Sequence, residues 1–220
     1  LFRSYIGQNP NEQIVTDKVW HELSFGLENL GMDQKKMRVR VSEIASYFNL
    51  ENIFNKSTYD LSGGQKQLVN LRSSIVMNPE ILILDEPTSA LDPISSQNFI
   101  NMIKKLNEDL GITIIMVEHK LDMVLPLVDK TYLMENGKLK EFNLDDLSDI
   151  SLSEDTLSLL PKFIEVFYRL GKRKNMPRTI RDGRRALKNY IFENNIYENL
   201  NIDKKNKKNR DRILLSLNDI

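Results

Sequence analysis

The sequence predicts an α/β protein built around a parallel sheet, and two observations carry that prediction. Strand-like and helix-like segments alternate from residue 81 to 134, the order that places parallel strands beside crossover helices. Ile81-Leu82-Ile83-Leu84 is a short unbroken apolar run, the pattern of a strand covered on both faces. A length of 220 residues suffices for one good core, or for one domain and a smaller appendage.

The elements follow in order. Leu1 to Ile6 reads as a strand. Val15 to Leu30 has Val19, Leu23, Leu27 and Leu30 at helical spacing. Asp33 is placed to cap a second helix running to about Phe48. Leu61 to Met77 reads as a further helix, opened by Leu-Ser-Gly-Gly-Gln and broken by Asn78-Pro79. After the strand at 81–84, Ser95 to Leu110 is amphipathic and helical, and Gly111 ends it. Ile112 to Val117 reads as a second buried strand and Leu121 to Val128 as a short helix. Lys130 to Met134 and Lys138 to Glu141 flank Glu135-Asn136-Gly137 as a hairpin.

From about residue 142 the composition shifts. Asp145, Asp146, Asp149, Glu154 and Asp155 form an acidic stretch, followed by a helix near Leu157 to Leu170. A basic stretch holds Lys172, Arg173, Lys174, Arg178, Arg181, Arg184 and Arg185. It lacks interleaved aromatics and reads as a solvated linker face, so no nucleic-acid partner is expected. Thr179, with Asp182 three residues on, is placed to cap another helix. Residues 199–212 are polar and Lys/Asn-rich, the composition of a flexible linker. Residues 213–220 look like a first strand with nothing after it. Together with a start at Leu1 inside a strand, this predicts a piece of a longer polypeptide.

Composition narrows the chemistry. Basic and acidic residues cancel to a formal charge of zero, which gives no global pull toward nucleic acid or anionic lipid. There is no cysteine, so disulfides, thiolate metal sites and cysteine nucleophiles are excluded. Two histidines, His21 and His119, are too few for a histidine-built metal site. His21 and its neighbour Trp20 read as packing residues on a helix face. No apolar run approaches the roughly 20 residues of a membrane helix, and the N-terminus has no signal-peptide pattern.

The strongest chemical signal is Leu61-Ser62-Gly63-Gly64-Gln65, followed about twenty residues later by Ile81-Leu82-Ile83-Leu84-Asp85-Glu86-Pro87. Paired glycines at a helix start let backbone N–H groups approach an anion, and the helix dipole favours negative charge there. Ser62 adds a hydroxyl donor. An aspartate at the end of a buried strand is suited to holding magnesium, often through water. A glutamate beside it can polarise an attacking water. Both carboxylates sit at a strand's C-terminal end, where open α/β sheets bind ligands.

On these residues the chain resembles the ATP-binding-cassette (ABC) ATPases. Leu61–Gln65 resembles the family's signature motif and Ile81–Glu86 its Walker B strand. Gln8, in Gly7-Gln8-Asn9-Pro10, matches the Q-loop; Ser89-Ala90-Leu91-Asp92 matches the D-loop; His119 matches the switch histidine. The motifs stand in the family's order over about residues 1–140. Leu68 departs from the arginine many members carry three residues past the signature.

The resemblance implies a fold and roles. The fold would be a truncated P-loop NTPase cassette over residues 1–141, its helical subdomain at about 15–77. A mainly helical linker would follow at 142–198. Residues 199–220 would then be a polar linker and the possible first strand of a second cassette. Asp85 would hold Mg2+, with Gln8 sensing it and the γ-phosphate. Glu86 would be the general base and His119 would contact the γ-phosphate. Ser62, Gly63, Gly64 and Gln65 would clamp ATP bound mainly by an opposite cassette, and Asp92 would communicate across the dimer. No Gly-x-x-x-x-Gly-Lys-[Ser/Thr] run is present, and Gly26 to Gly31 lacks the lysine and hydroxyl that cradle phosphates. The 220 residues alone are therefore expected to bind ATP poorly and not to hydrolyse it.

Gln8 to Ile14, Glu22 to Gly31 and Val117-Glu118-His119-Lys120-Leu121-Asp122 resemble ATPases of energy-coupling-factor (ECF) importers, which take up vitamins or cobalt and nickel ions. Leu160-Pro161 to Leu187 is similar to the linker of tandem ECF ATPases. The implied partners are a transmembrane coupling subunit and a second cassette. The implied place is the cytoplasmic face of the membrane, held peripherally. A soluble ABC ATPase acting on ribosomes and a degenerate, non-hydrolysing cassette stand as the alternatives.

Overall fold

A computed structural model of the chain describes residues 3–194 apart from 136, 149 and 150. The strand β1 (Arg3–Ile6) leads into a one-turn helix α1 (Pro10–Gln13), then α2 (Val19–Asn29), α3 (Gln34–Tyr47) and α4 (Gly63–Val76). Next come β2 (Ile81–Asp85), α5 (Pro93–Leu110), β3 (Thr113–Val117) and α6 (Leu121–Val124). The hairpin β4 (Tyr132–Glu135) and β5 (Lys138–Glu141) precedes α7 (Glu154–Leu159), α8 (Lys162–Arg169) and α9 (Ile180–Glu193).

β1, β2 and β3 form a parallel sheet in that order, with β2 central. Ile6, Leu82 and Leu84 are fully buried under Phe99, Ile100 and Leu106 of α5 and Val69, Leu71 and Ile75 of α4, in one continuous apolar cluster. Val19, Leu23 and Leu27 join it from α2, and Val41 and Ile44 from α3. Burying one such aliphatic side chain is worth about 1.5–3 kcal/mol, so this cluster fixes the strand ends relative to α4.

Helix ends follow local chemistry. Asp33 accepts from the N–H groups of Lys35 and Lys36 and starts α3. Gly111, in the left-handed region at φ 65°, ends α5. Thr179 accepts from the Asp182 N–H and starts α9.

Other expectations need correction. β2 and β3 are not covered on both faces. Ile81 and Ile83 are half-buried, and Ile115 and Val117 of β3 are each 53% exposed. β3 lies at the sheet edge, and no described element covers its outer side chains. The helix expected from Val15 begins at Val19, because the buried Glu22 carboxylate accepts from Val15 N, Thr16 N and the Thr16 hydroxyl. Leu30 sits at its C-terminal cap, exposed rather than in the core. The helix near 157–170 is two helices, α7 and α8, broken at Leu160-Pro161, where proline disfavours helical backbone in the residue before it. The helix from Leu121 stops at Val124. Trp20 and His21, read as packing residues on a helix face, stack on each other with rings 5.2 Å apart on the outer side of α2.

A second apolar cluster gathers Leu125, Phe142, Leu144, Leu147, Ile164 and Phe167 with their neighbours. Across its surface the acidic and basic stretches pair, Asp145 with Arg178 at 3.2 Å and Asp146 with Lys174 at 3.4 Å. Arg173 stacks on Tyr168. The segment 199–212 and the strand expected at 213–220 lie outside the described residues.

Candidate nucleotide site

Parallel register brings three loops together. Ile6 pairs with Leu84, and Asp85 with Val117. Two residues beyond these pairs stand Gln8, Glu86 and His119, at the C-terminal ends of adjacent strands. The Glu86 N–H donates to Val117 O at 2.9 Å. Glu86 has φ 43°, a left-handed conformation that holds about 1–3 kcal/mol of strain in a non-glycine residue. That turn carries its carboxylate to 3.0 Å from His119 Nε2. The Glu86 side chain is 24% exposed and the His119 ring 65%. Packing therefore does not hold the ring.

Asp85 lies one residue before Glu86, and its Oδ2 accepts from the Tyr5 hydroxyl at 3.0 Å. That bond to Asp85 holds the Tyr5 phenol above its ordinary pKa. Gln8 is exposed, and its side chain makes no hydrogen bond among the described residues.

The second group lies at the start of α4. Ser62 Oγ accepts from the Gln65 N–H at 3.3 Å, and Gln65 Oε1 accepts from the Ser62 N–H at 2.9 Å. This reciprocal cap satisfies two groups that a helix start leaves free. It assigns the Gln65 side chain carbonyl to the cap rather than to a ligand, while the Ser62 hydroxyl proton remains available to donate. Ser62 and Gly63 are exposed, and a Cβ on Gly63 would meet no atom within 4 Å. Gly64 faces the other way, against Ser95 of α5. Asp92 caps α5, accepting from Ile94 N and Ser95 N at 2.9 and 3.0 Å. These bonds, with the Ser95 contribution first, hold its carboxyl below the usual range.

Side chains of α4 tie the two groups together. Buried Gln67 donates to Gly7 O and to Pro87 O, both at 3.2 Å. Asn70 donates to Pro10 O at 3.1 Å, and Lys66 to Asn11 Oδ1 at 2.8 Å. The helix behind Ser62 is thus bonded to the backbone on either side of Gln8 and just past Glu86. Leu68 packs against the core.

The donor set fits a magnesium nucleotide. Among the described residues no three His, Asp or Glu side chains converge as a metal cage. Magnesium needs none, because one or two carboxylates with substrate phosphates and water suffice, and half-buried Asp85, on the strand next to the one that leads to Gln8, would supply one of them. The open ground over Gly63, the free amides of the first turn and the Ser62 hydroxyl suit an approaching phosphate.

Sequence reasoning gave no role to Tyr5, Gln67, Thr88, Glu118 or Lys120. Each lies inside or beside a motif, but its partner is distant in sequence, so only the proximity was visible.

A family model described as ABC transporter matches residues 3–89. The energy-coupling factor transporter ATP-binding protein EcfA of Methanocaldococcus jannaschii is 35% identical over 192 residues, 84% of this chain and 68% of that protein. A Bacillus thuringiensis subsp. konkukian relative, named among ABC transporter ATP-binding proteins, is 38% identical over 185 residues, 83% of this chain. The match is 33% of that relative's length, so the chain spans about a third of it. Among solved structures, cbiO1 of Clostridium perfringens, part of the ABC transporter complex cbiONQ, matches with a TM-score of 0.59 at 33% identity. That match covers 63% of this chain and 55% of cbiO1. A metal-chelate type ABC transporter in an inward-facing conformation matches at TM-score 0.56 and 21% identity, which shows shared fold alone.

Proposed function

The chain belongs to the ABC transporter ATP-binding protein family, and from that premise we propose that it is the ATP-binding and hydrolysing part of an ECF-like importer. The observation that carries this reading is the Glu86–His119 pair, 3.0 Å apart at the strand ends, bonded through Gln67 to the helix that presents Ser62 and Gly63.

In this reading the cassette occupies residues 1–141, with a linker region after it. Glu86 orients and deprotonates the attacking water, and His119 contacts the γ-phosphate and steadies the Glu86 carboxylate. Asp85 and Gln8 would hold Mg2+, which would supply neutralising charge for phosphoryl transfer. Ser62, Gly63 and Gly64 close over ATP carried by a second cassette, and Asp92 relays between the two sites. Contacts made only in the closed pair drive closure. The bonds from Gln67, Asn70 and Lys66 to residues 7, 10 and 11 pass that motion to a transmembrane coupling subunit at the cytoplasmic face of the membrane. The cargo class is a vitamin or metal ion, as in the importers this chain resembles. The 220 residues carry no Gly-x-x-x-x-Gly-Lys-[Ser/Thr] run, and turnover is expected only where such a loop is supplied.

The test is purification of the native protein from solubilised membranes. Recovery with an integral membrane subunit and ATP turnover supports the reading. Recovery with ribosomes and no membrane subunit would overturn it.

A further inference from the structure

His119 needs something other than packing to hold it. Its ring is 65% exposed, and among the described residues its only side-chain partner is Glu86. The adjacent Glu118 supplies the missing restraint. One carboxylate oxygen of Glu118 accepts from Thr88 N at 3.0 Å and the Thr88 hydroxyl at 2.6 Å. The other accepts from the backbone N–H groups of His119 at 3.1 Å and Lys120 at 3.3 Å. Four donors therefore converge on one carboxylate, two from the loop after β2 and two from the loop after β3. Bonds to a charged carboxylate are about twice as strong as neutral ones, and the Thr88 hydroxyl makes the shortest of the four, 2.6 Å.

Lys120 closes the same brace from the other side. Its Nζ donates to Thr88 O at 2.8 Å and lies 3.5 Å from Leu91 O and 3.4 Å from Ser96 Oγ, on the first turn of α5. Thr88 is thus held through its N–H and hydroxyl by Glu118 and through its carbonyl by Lys120. It lies two residues past the strained Glu86. Asp92, which caps α5, directly follows Leu91.

We propose that Glu118, seconded by Lys120, is a positioning residue that fixes His119 over Glu86 and makes the loops 86–92 and 118–120 move as one body. This rests on the reading of Glu86 and His119 as the hydrolytic pair. Glu118 is bonded through both carboxylate oxygens to groups of the protein itself. It acts through the His119 backbone and through Thr88, so its loss should misalign the pair and leave ATP binding intact. A misplacement of about 1 Å at a reacting centre can lower a rate about 100-fold.

The experiment measures steady-state ATP turnover of the native protein with Glu118→Gln, Thr88→Val, Thr88→Ser and Glu86→Gln. Glu118→Gln keeps the shape and removes the charge, and should lower kcat about 10- to 100-fold with KM for ATP changed less than about 2-fold. Thr88→Val, which loses only the hydroxyl, should lower kcat in the same direction, and Thr88→Ser should restore it. If Glu118→Gln does not fold, the Val and Ser variants at 88 decide alone. Wild-type kcat in Glu118→Gln or Thr88→Val, or a loss in Thr88→Val that Thr88→Ser does not recover, overturns the inference. Wild-type turnover in Glu86→Gln would instead overturn the reading beneath it.

Discussion

Adjacent glycines at the start of α4 should respond in opposite ways to the same substitution. A Cβ on Gly63 would meet nothing within 4 Å, whereas a Cβ on Gly64 would lie 2.6 Å from Ser95 Oγ and 2.8 Å from Ser95 Cβ. Ser95 cannot swing clear, because its Cβ is fixed to a backbone whose N–H is bonded to Asp92 at 3.0 Å. Overpacking of this kind costs about 1–3 kcal/mol. The helix-propensity gain of alanine over glycine, about 1 kcal/mol, applies to both variants and cancels between them. Gly64→Ala should therefore melt about 2–12 °C below Gly63→Ala, at about 2–4 °C per kcal/mol for a domain of this size. Function should invert that order in part. Gly63→Ala should melt at or slightly above the wild type and lose ATP-dependent association of cassettes, because the methyl group fills the ground the proposed phosphate would cross. Thermal denaturation and ATP-dependent association measured by light scattering check both limbs. Equal melting of the two variants, or undiminished association in Gly63→Ala, would refute the reasoning.

Arg72 is a buried cation whose Nε has no hydrogen-bond partner among the described residues, and burial pulls its pKa down to about 10. Arg72→Met should raise the melting temperature by a few degrees, because it removes, at similar volume, a buried charge that faces the Phe48 ring 5.5 Å away rather than a carboxylate; a lower melting temperature would count against this. Burial and a hydrogen bond to Asp109 push the Tyr47 phenol up to about 12. A raised native pKa means stability present below about pH 10 and lost as pH rises toward 12. Tyr47→Phe should flatten the pH dependence of stability across that window in denaturant melts, and an unchanged slope would contradict the assignment.

Local signals were legible in the sequence. Asp33, Gly111 and Thr179 act as caps because capping depends on a few neighbouring residues. Ser62 to Gln65 and Asp85-Glu86 could be read because a helix start and a strand end impose their own chemistry. Tertiary outcomes were not legible. An apolar run such as Ile112 to Val117 has the same pattern whether its outer face is covered or open, and Ile115 shows that it is open. The Pro161 break was present in the sequence but was overridden by the apolar spacing around it. The Glu118 brace joins residues thirty positions apart. Its ends are motif neighbours with no distinguishing pattern, and only the parallel pairing of β2 with β3 brings them together.

The central claim, that Glu86 is the base of an ATP-hydrolysing site, is tested most directly by single-turnover ATP hydrolysis in the native protein with Glu86→Gln. The structure predicts hydrolysis lowered about 100- to 10,000-fold, the contribution of a general base, with ATP still bound and the cassettes held closed. Hydrolysis at the wild-type rate would contradict the claim.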